Sequence, residues 1–415
     1  MSSSFAALGL GPSLLRSVEE SGYTEPTPIQ SAALPPALQG RDVIGCAQTG
    51  SGKTAAFGLA LLQRLDRVRP AWRRTYALVL VPTRELAIQV GESIEALARH
   101  LANPVKVVVV FGGVSINPQM MGLRGGAEVV VATPGRLLDL VGRNSIALEA
   151  LEVLVLDEAD RLLDEGFADE VSRITALLPR RRQSLFFSAT FPPLVQDLAR
   201  SLLRDPVRID MPVLSESEGP AIEERAIEVD VSQRTPLLRQ LIHESGWQRV
   251  LVFVATRYTS EHVADKLRRT GLAAAAFHGD LSQGARTQVL ADLHSGALRV
   301  VLATDLAARG LHIPELPVVV NYDLPRSAVD YTHRIGRTAR AGASGVAVSF
   351  VSASTEAHFR LIEKRQGRRV PREQVAGFEP RETVVPVSPA DGGVKGRRRS
   401  KKDKLRAAAA RGEPG

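Results

Sequence analysis

Short apolar runs alternate with stretches of helical periodicity through the first 210 residues of the chain. Runs of Val, Ile and Leu without polar alternation are typical of parallel strands that are buried on both faces. The strands predicted in this way are Asp42–Cys46, Ala77–Val81, Val105–Val110, Val129–Ala132, Val153–Leu156 and Leu185–Phe187. Apolar residues at helical spacing predict helices at Arg84–Leu101 and Leu194–Leu203. This alternation predicts an α/β fold with a doubly wound parallel sheet.

A second α/β domain is predicted after a break in this pattern. The stretch Met211–Glu224 is rich in Pro, Ser, Gly and acidic residues, which is typical of a linker. Strands are then predicted at Val250–Val254, Ala273–Phe277, Val300–Ala303, Val318–Asn321 and Val346–Phe350, with a helix at Ser260–Arg269. We therefore expect domains at residues 1–210 and 225–365, joined by a linker at 211–224.

Composition places the chain among ordinary globular proteins. Hydrophobic residues make up 44% and charged residues 24% of the 415 residues. No apolar run approaches the ~20 residues that a membrane-spanning helix needs, and the segment Met1–Leu10 lacks the basic flank of a signal peptide. Cys46 is the only cysteine, so an internal disulfide is excluded and a reducing cytoplasm is expected.

Positive charge is concentrated at the end of the chain. The formal net charge is +8, and residues 395–415 contain nine Lys or Arg but only Asp403 and Glu413 as acids. The rest of the chain is therefore nearly neutral. Residues 366–415 are rich in Arg, Lys, Pro, Gly and Ala without periodicity, which predicts a disordered basic tail. Such a tail either binds a polyanion or keeps the protein soluble, and the sequence favours neither.

The strongest chemical signal is a glycine-rich loop between the first strand and a helix. Glycines allow backbone N–H groups to surround phosphate oxygens at a helix N-terminus. Lys53 is expected to contact the β- and γ-phosphates, and the Thr54 hydroxyl is expected to help hold Mg²⁺. The residues that form this predicted ATP-binding loop are Ala47, Gln48, Thr49, Gly50, Ser51, Gly52, Lys53 and Thr54.

An acidic cluster follows the predicted strand Val153–Leu156, about a hundred residues after the loop. Asp157 at the end of a strand can hold Mg²⁺, and Glu158 beside it can orient an attacking water. An isolated acidic cluster is usually a solvated loop, but the phosphate loop upstream favours a nucleotide site.

The four residues from Asp157 to Asp160 spell D-E-A-D, and residues 5–342 resemble a DEAD-box RNA helicase. The resemblance implies two tandem RecA-like domains, ATP and Mg²⁺ as cofactors, and RNA as the partner. It implies adenine recognition by the family's first motif, here Phe5, Tyr23, Thr27 and Gln30. An amide can bond to the adenine edge and an aromatic ring can stack on it.

The same resemblance implies RNA-binding and coupling motifs. Most of them follow predicted strands, at the sheet edge where open α/β folds bind ligands, and they can grip phosphates without reading bases. The implied RNA contacts in the first domain are Pro82, Thr83, Arg84, Gly112, Gly113, Thr133, Pro134, Gly135 and Arg136. Those in the second domain are Gln283, Arg286, Thr304 and Arg309. The implied coupling residues are Ser188, Ala189, Thr190 and Asp160.

The last motif implied by the resemblance carries arginines on the second domain. His333, Arg337 and Arg340 are expected to complete catalysis, because the arginines can stabilise charge on the γ-phosphate once the domains close. Further ATP contacts are implied for Asp305, Gly310 and His312. The family usually has Asp at the position of His312, so ribose recognition and domain coupling are expected to be weaker here. Ala339 replaces a commoner Gly, with little expected effect.

These motifs favour an enzyme that couples RNA-stimulated ATP hydrolysis to local, non-processive duplex unwinding or ribonucleoprotein remodelling. Two alternatives stay open: an ATP-gated RNA clamp with weak unwinding, and a DNA helicase on the same core. We expect a cytoplasmic monomer that binds the RNA backbone without sequence preference and has no membrane association. Ribosomal and RNA-decay complexes are candidate partners, and the sequence does not choose between them.

Overall fold

Two parallel sheets organise the chain in the computed structural model, which confirms the predicted fold class. The structure describes residues 4–47, 50–68, 74–164, 166–211, 222–308, 316–338 and 344–382. Each sheet has seven strands and is flanked by helices on both faces. The arrangement is that of two tandem RecA-like domains.

The first domain opens with a 3-10 turn at Phe5–Leu8 and contains seven strands and nine helices among its described residues. The strands are β1 (Val43–Cys46), β2 (Ala77–Leu80), β3 (Val107–Val110), β4 (Val129–Ala132), β5 (Val153–Leu156), β6 (Gln183–Ser188) and β7 (Val207–Asp210). The helices are α1 (Pro12–Glu20), α2 (Pro28–Leu38), α3 (Lys53–Val68), α4 (Arg84–Ala98), α5 (Asn117–Leu123), α6 (Pro134–Gly142), α7 (Ala159–Asp164), α8 (Ala168–Leu177) and α9 (Pro193–Leu202).

The first sheet has the strand order β3-β4-β2-β5-β6-β1-β7, and each neighbouring pair is parallel. The central strands β2, β4 and β5 are buried throughout, since α1 to α4 cover one face and α5 to α9 cover the other. This burial explains why these strands read as continuous apolar runs. Because the strands are parallel, the loops that follow them meet at one edge of the sheet.

The second domain repeats this architecture with the equivalent strand order, β10-β11-β9-β12-β13-β8-β14. Its strands are β8 (Ile222–Glu228), β9 (Val250–Val254), β10 (Ala274–Phe277), β11 (Val300–Thr304), β12 (Val318–Asn321), β13 (Gly345–Val351) and β14 (Arg372–Glu373). Its helices are α10 (Arg234–Glu244), α11 (Arg257–Arg269), α12 (Gln283–Ser295), α13 (Asp305–Ala308), α14 (Ala328–Ile335) and α15 (Glu356–Gln366), with a 3-10 turn at Val231–Gln233.

Three strands, β7, β8 and β14, were missed from the sequence. β8 begins at Ile222, inside the segment predicted as linker. It reads as a mixed polar sequence because it is only partly buried between β13 and the two-residue β14. The third missed strand, β7, lies at the sheet edge and carries exposed Arg208 and Asp210. Edge strands of this kind lack the apolar run by which the central strands were found.

The predicted disorder from residue 366 onward is also wrong for residues 366–382, which pack against the second domain. Arg372 makes ion pairs with Glu356 at 3.0 Å and with Glu363 at 2.9 Å, and its guanidinium lies 4.7 Å from the centre of the Phe359 ring. Farther along, Phe378 packs against the core of this domain. Buried contacts hold a segment whose composition alone suggests a free tail. The remainder of the predicted tail, residues 383–415, lies outside the described residues.

Among the described residues, no helix combines the length and apolarity required to cross a lipid bilayer.

We predict that a chain ending at Gly367 is less stable than the full chain, whereas one ending at Glu382 is as stable. The shorter chain loses β14, the Arg372 ion pairs and the Phe378 contact, and losses of this kind cost about 1–3 kcal/mol each. Urea unfolding of the three chains measures the difference. Equal stability of the two truncated chains would contradict the packing role of residues 368–382.

Candidate active site and RNA-binding edge

The glycine-rich loop leaves β1 and enters α3, as the sequence predicts. Gly50 and Gly52 have φ of 85° and 93°, in the left-handed region that glycine adopts without strain. The ammonium of Lys53 is buried and donates to the Ala47 carbonyl oxygen at 2.7 Å. The loop therefore encloses its own lysine at a helix N-terminus, which is the arrangement that phosphate binding requires. Gln48 and Thr49 lie outside the described residues.

The predicted adenine motif packs directly against this loop. The Gln30 amide donates to the Gly52 carbonyl oxygen at 3.1 Å and accepts from the Thr27 backbone N–H at 2.9 Å. A Cβ atom at Gly52 would stand 2.5 Å from the Gln30 amide nitrogen, so this contact needs glycine. Tyr23 is half-buried with its ring edge-on to Phe5, at 6.4 Å between centroids. The motif thus fixes the loop, and its contact with adenine stays a prediction.

Asp157 presents a buried carboxylate at the end of β5. Burial raises the pKa of Asp157 to about 6, although the nearby Lys53 acts in the opposite direction. A cation beside this carboxylate would favour its ionised form, so the donor set fits Mg²⁺ held by Asp157 and the Thr54 hydroxyl. The described residues contain no group of three or more His, Cys, Asp and Glu side chains able to hold a metal. That is expected where substrate phosphates and water supply the other ligands.

Glu158 follows in a strained backbone conformation. Its φ is 52°, which is unusual for a residue other than glycine and costs on the order of 1–3 kcal/mol. The Glu158 N–H donates to the Asp157 carboxylate at 3.0 Å, and the Glu158 carboxylate pairs with Arg161 at 3.0 Å. The ion pair holds the Glu158 carboxylate in a defined position next to Asp157. The predicted role of Glu158 in orienting water remains a proposal.

Asp160 joins the D-E-A-D segment to the predicted coupling motif. Thr190 donates to the Asp160 carboxylate from its backbone N–H at 2.9 Å and from its hydroxyl at 2.7 Å. The Asp160 N–H donates to the Ser188 hydroxyl at 3.2 Å, and that hydroxyl donates to the Thr190 carbonyl at 2.7 Å. Burial acts to raise the pKa of Asp160, but the hydrogen bonds with Thr190 and Ser188 and the charges of His333 and Lys53 together lower it. Ala189 lies between the two bonded residues.

The second domain reaches this segment with His333 and Arg337. Both line a small cavity that Arg161 of the first domain also lines. Burial, followed by the charge of Arg161, lowers the pKa of His333 to about 4, while Asp160 opposes the shift. His333 is therefore neutral at pH 7 and acts as a hydrogen-bonding group. The predicted catalytic residues of the two domains lie together, except Arg340, which is outside the described residues.

Arg334, which the sequence prediction did not single out, anchors the arginine motif within the second domain. Its guanidinium holds the Asp305 carboxylate with two bonds of 2.6 and 2.7 Å and also donates to the Asn321 side chain at 3.0 Å. Asp305 is therefore engaged by Arg334, and its predicted ATP contact stays a prediction. Gly310 and His312 lie outside the described residues. An arginine inside a catalytic motif was a signal that could have identified this role.

Two of the predicted RNA motifs of the first domain form one cluster. Thr83, which follows Pro82, caps α4, and a Cβ atom at Gly113 would stand 2.0 Å from the Arg84 guanidinium. Arg136, in the first turn of α6, is buried and donates to the Val114 carbonyl at 2.7 Å. Arg136 thus supports the loop that carries Gly112 and Gly113. The remaining members of this motif, Thr133, Pro134 and Gly135, lie at the start of α6.

Arg286 of the second domain meets this cluster through a residue the prediction did not include. Its guanidinium lies 2.8 Å from the carboxylate of Glu85, and both side chains are at least 93% buried. Arg286 also lies 4.9 Å from the centre of the Phe277 ring. The guanidinium predicted to bind RNA is therefore occupied by an ion pair between the domains. Gln283 begins α12 one turn earlier, Thr304 ends β11, and Arg309 lies outside the described residues.

We predict opposite effects on stability when Asp157 and Asp160 are changed to Asn. The raised pKa of Asp157 means that the folded state holds its proton between pH 3.8 and about 6, so stability falls as pH rises through that window. Asp157→Asn should therefore raise the free energy of unfolding at pH 7.5 by about 1–3 kcal/mol.

The matched variant Asp160→Asn should lower the free energy of unfolding. The lowered pKa of Asp160 contributes stability at neutral pH that disappears as pH falls below 3.8. Urea unfolding without Mg²⁺ or nucleotide compares the two variants with the unmodified chain. A loss of stability in both variants would contradict the assignment of Asp157 as a carboxylate whose pKa is raised by burial and whose ionised form a cation would stabilise.

Comparisons with known proteins agree with this geometry. The DEAD/DEAH box helicase family model matches residues 27–198, and the model of the helicase conserved C-terminal domain matches residues 233–342. The DEAD-box ATP-dependent RNA helicase CshA of Bacillus cereus is 39% identical over 89% of this chain and 69% of its own length. The ATP-dependent rRNA helicase RRP3 of Gibberella zeae is 41% identical over 91% of this chain and 78% of its own length.

A solved structure shows the same two-domain architecture. The structure of S. cerevisiae Dbp5 bound to RNA and ADP BeF3 superimposes with a TM-score of 0.79 at 32% identity, covering 90% of this chain and 95% of that chain. The identity, the coverage and the shared architecture lead to one conclusion: the chain belongs to the DEAD-box family of ATP-dependent RNA helicases.

Proposed function

We propose that this protein is an RNA-stimulated ATPase that uses ATP hydrolysis to open short RNA duplexes locally or to remodel ribonucleoproteins. One observation carries the proposal. His333 and Arg337 of the second domain face Arg161 and the acidic segment of the first, so the set of groups needed for hydrolysis spans the two domains. Such a site is complete only when the domains are closed.

The residues of the first domain bind and orient the nucleotide. In this proposal the loop amides and Lys53 would hold phosphates, and Asp157 with Thr54 would hold Mg²⁺. When bound, Mg²⁺ neutralises charge on the phosphate oxygens. Glu158 is next to Asp157 and can accept a hydrogen bond from the attacking water, because Arg161 fixes its carboxylate at 3.0 Å.

Arg337 supplies a positive charge from the second domain. A guanidinium brought from another domain stabilises negative charge on the transferred phosphoryl group and is typically worth 10³–10⁵ in rate. Neutral His333 lies within the electrostatic reach of Asp160, which is bonded to Thr190 of the coupling motif. We infer that movement of the second domain acts on the segment after β6 through the electrostatic interaction between His333 and Asp160.

RNA would favour closure by binding across both domains. The cluster of Arg84 and Gly113 lies on the first domain, and Gln283 and Thr304 lie on the second, so one strand bound to both lowers the free energy of the closed state. Opening of the domains after hydrolysis separates the two groups of residues that bind the strand. We therefore infer that each ATP cycle ends in RNA release, which makes unwinding local and non-processive.

The grip on RNA is expected to be independent of sequence. Guanidinium, hydroxyl and backbone N–H groups at this edge can contact phosphates and sugars and carry no base-reading pattern. We extend the proposal to ribosomal RNA assemblies as substrates, since one of the similar proteins is named an rRNA helicase. An RNA-decay complex is an equally suitable setting, and we propose that the protein acts as a monomer in the cytoplasm.

The direct test compares the ATPase rate with no nucleic acid, with single-stranded RNA and with DNA of the same sequence. We expect strong stimulation by RNA and weak stimulation by DNA, because the 2′-hydroxyl is the group that distinguishes them. Arg337→Lys serves as the matched variant, since it keeps the charge but loses the planar fork, and should lose most of the stimulated rate. Equal stimulation by DNA would contradict the proposal in favour of a DNA helicase. Stimulation by neither would favour an ATP-gated clamp.

A further inference from the structure

A cluster of arginines lies at the edge of the first sheet opposite to the nucleotide and RNA motifs. These motifs follow the strands, whereas the cluster precedes β6, β1 and β7, three neighbouring parallel strands. We call this group the basic edge. It consists of Arg41, Arg180, Arg181, Arg182 and Arg204.

Direct contacts bring the members of the basic edge together. The Arg204 guanidinium donates to the Arg182 carbonyl at 2.8 Å, and the Gln183 amide donates to the Arg41 carbonyl at 2.7 Å. Burial and the adjacent charge of Arg204 lower the pKa of Arg182, although it stays far above neutrality. Like charges are therefore held close together by the backbone and the loops before three strands.

The acidic residues near the basic edge do not cancel its charge. Asp42 is buried, and its carboxylate accepts from the backbone N–H groups of Ser184 at 2.8 Å and Arg204 at 2.7 Å. Asp205 pairs with Arg41 at 3.1 Å. The described residues give neither Arg180 nor Arg181 an acidic partner, and both side chains are exposed. An excess of solvated guanidinium charge therefore remains on this surface.

We propose that the basic edge binds the phosphate backbone of RNA that flanks the strand held between the domains. The inference rests on the proposed function, since it takes RNA as the partner. Guanidinium groups on adjacent loops suit a polyanion with regularly spaced phosphates. Contacts to phosphate carry no base sequence, so we expect the basic edge to hold RNA without choosing its sequence.

The distance from the cleft determines which part of the RNA can reach the basic edge. β6 has six residues and spans about 20 Å between the two edges of the sheet. A short single strand bound in the cleft ends before this surface, whereas RNA with a duplex arm can extend past the first domain. The basic edge therefore contributes to the binding of long or structured RNA and not to the cleft itself.

The test uses the full chain with Arg180→Gln/Arg181→Gln, because these side chains are exposed and make no structural contact that the described residues show. The matched control is Arg268→Gln/Arg269→Gln. It removes the same charge from exposed positions of α11 in the second domain, where both arginines lie near Asp265. Arg180→Lys/Arg181→Lys keeps the charge, on which a contact to the phosphate backbone chiefly depends, and should bind like the unmodified chain.

Two RNAs are compared: a single strand of about ten nucleotides, and the same strand joined to a hairpin of about twenty base pairs. We expect the Gln variant to bind the hairpin RNA about fivefold to tenfold more weakly at low salt. The slope of log affinity against log salt concentration should become less negative by about one to two, which is the change for one or two lost phosphate contacts. Affinity for the short strand, and its stimulation of the ATPase, should not change.

Three outcomes would overturn the inference. They are unchanged hairpin binding and salt slope, equal weakening with the short strand, and equal weakening in the α11 control. Loss of binding to poly-L-glutamate with unchanged RNA binding would assign the surface to acidic proteins instead. The binding of hairpin RNA is measured without hydrolysis, so failure of ATPase stimulation would count against the proposed function and leave this measurement decisive.

Discussion

The buried ion pair between Glu85 and Arg286 joins the two domains at the edge where both sheets carry their polar motifs. Removing two charges from water is costly, and their mutual attraction offsets part of that cost only while they remain in contact. Glu85 stands beside Arg84 at the start of α4, and Arg286 lies in the first turn of α12. Any change that separates the domains leaves both charges without their partner. This pair therefore links domain closure to the geometry of the RNA motifs on each side.

The nucleotide site also depends on contact between the two domains. The carboxylate of Asp157 is buried where its ionised form is disfavoured, and Glu158 stands in a strained conformation. Neither feature stabilises an isolated first domain. Both are expected to serve catalysis once positive charge is brought to the site. Arg337 comes from the second domain, and Mg²⁺ fits beside Asp157. A cation beside Asp157 would favour its ionised form and so offset the cost of burying that carboxylate.

The sequence was sufficient for the strands at the centre of each sheet and for the loops that follow them. Val129–Ala132, Val153–Leu156, Val250–Val254 and Val318–Asn321 have the predicted bounds, because strands buried on both faces must be apolar throughout. The edge strands β7 and β14, and β8 next to β14, escaped detection because partial exposure leaves them a mixed composition. Folding of residues 366–382 depends on ion pairs such as that of Arg372 with Glu363, and composition does not encode which charges will meet.

At the candidate site, the sequence motifs predicted which residues lie close together. The groups that each side chain contacts could be identified only from the structure. Arg136 and Arg286 were predicted to face RNA, yet each side chain is buried against protein, on the Val114 carbonyl and on Glu85. Spacing along a chain predicts that loops meet at one sheet edge, whereas it does not show which guanidinium is exposed. The basic edge could not be predicted for the same reason. Its arginines come from loops far apart in sequence, and acidic residues elsewhere in the chain offset their contribution to the net charge.

The most direct test of closure is a double-mutant cycle with Glu85→Gln, Arg286→Gln and both together, with RNA-stimulated kcat/KM as the readout. Loss of one partner of a buried charge pair should lower this value at least about tenfold in each single variant, with the RNA-independent rate unchanged. The double variant should be no worse than the more impaired single variant, because the pair acts as one unit. Losses that multiply in the double variant, or an equal fall in the RNA-independent rate, would contradict the account.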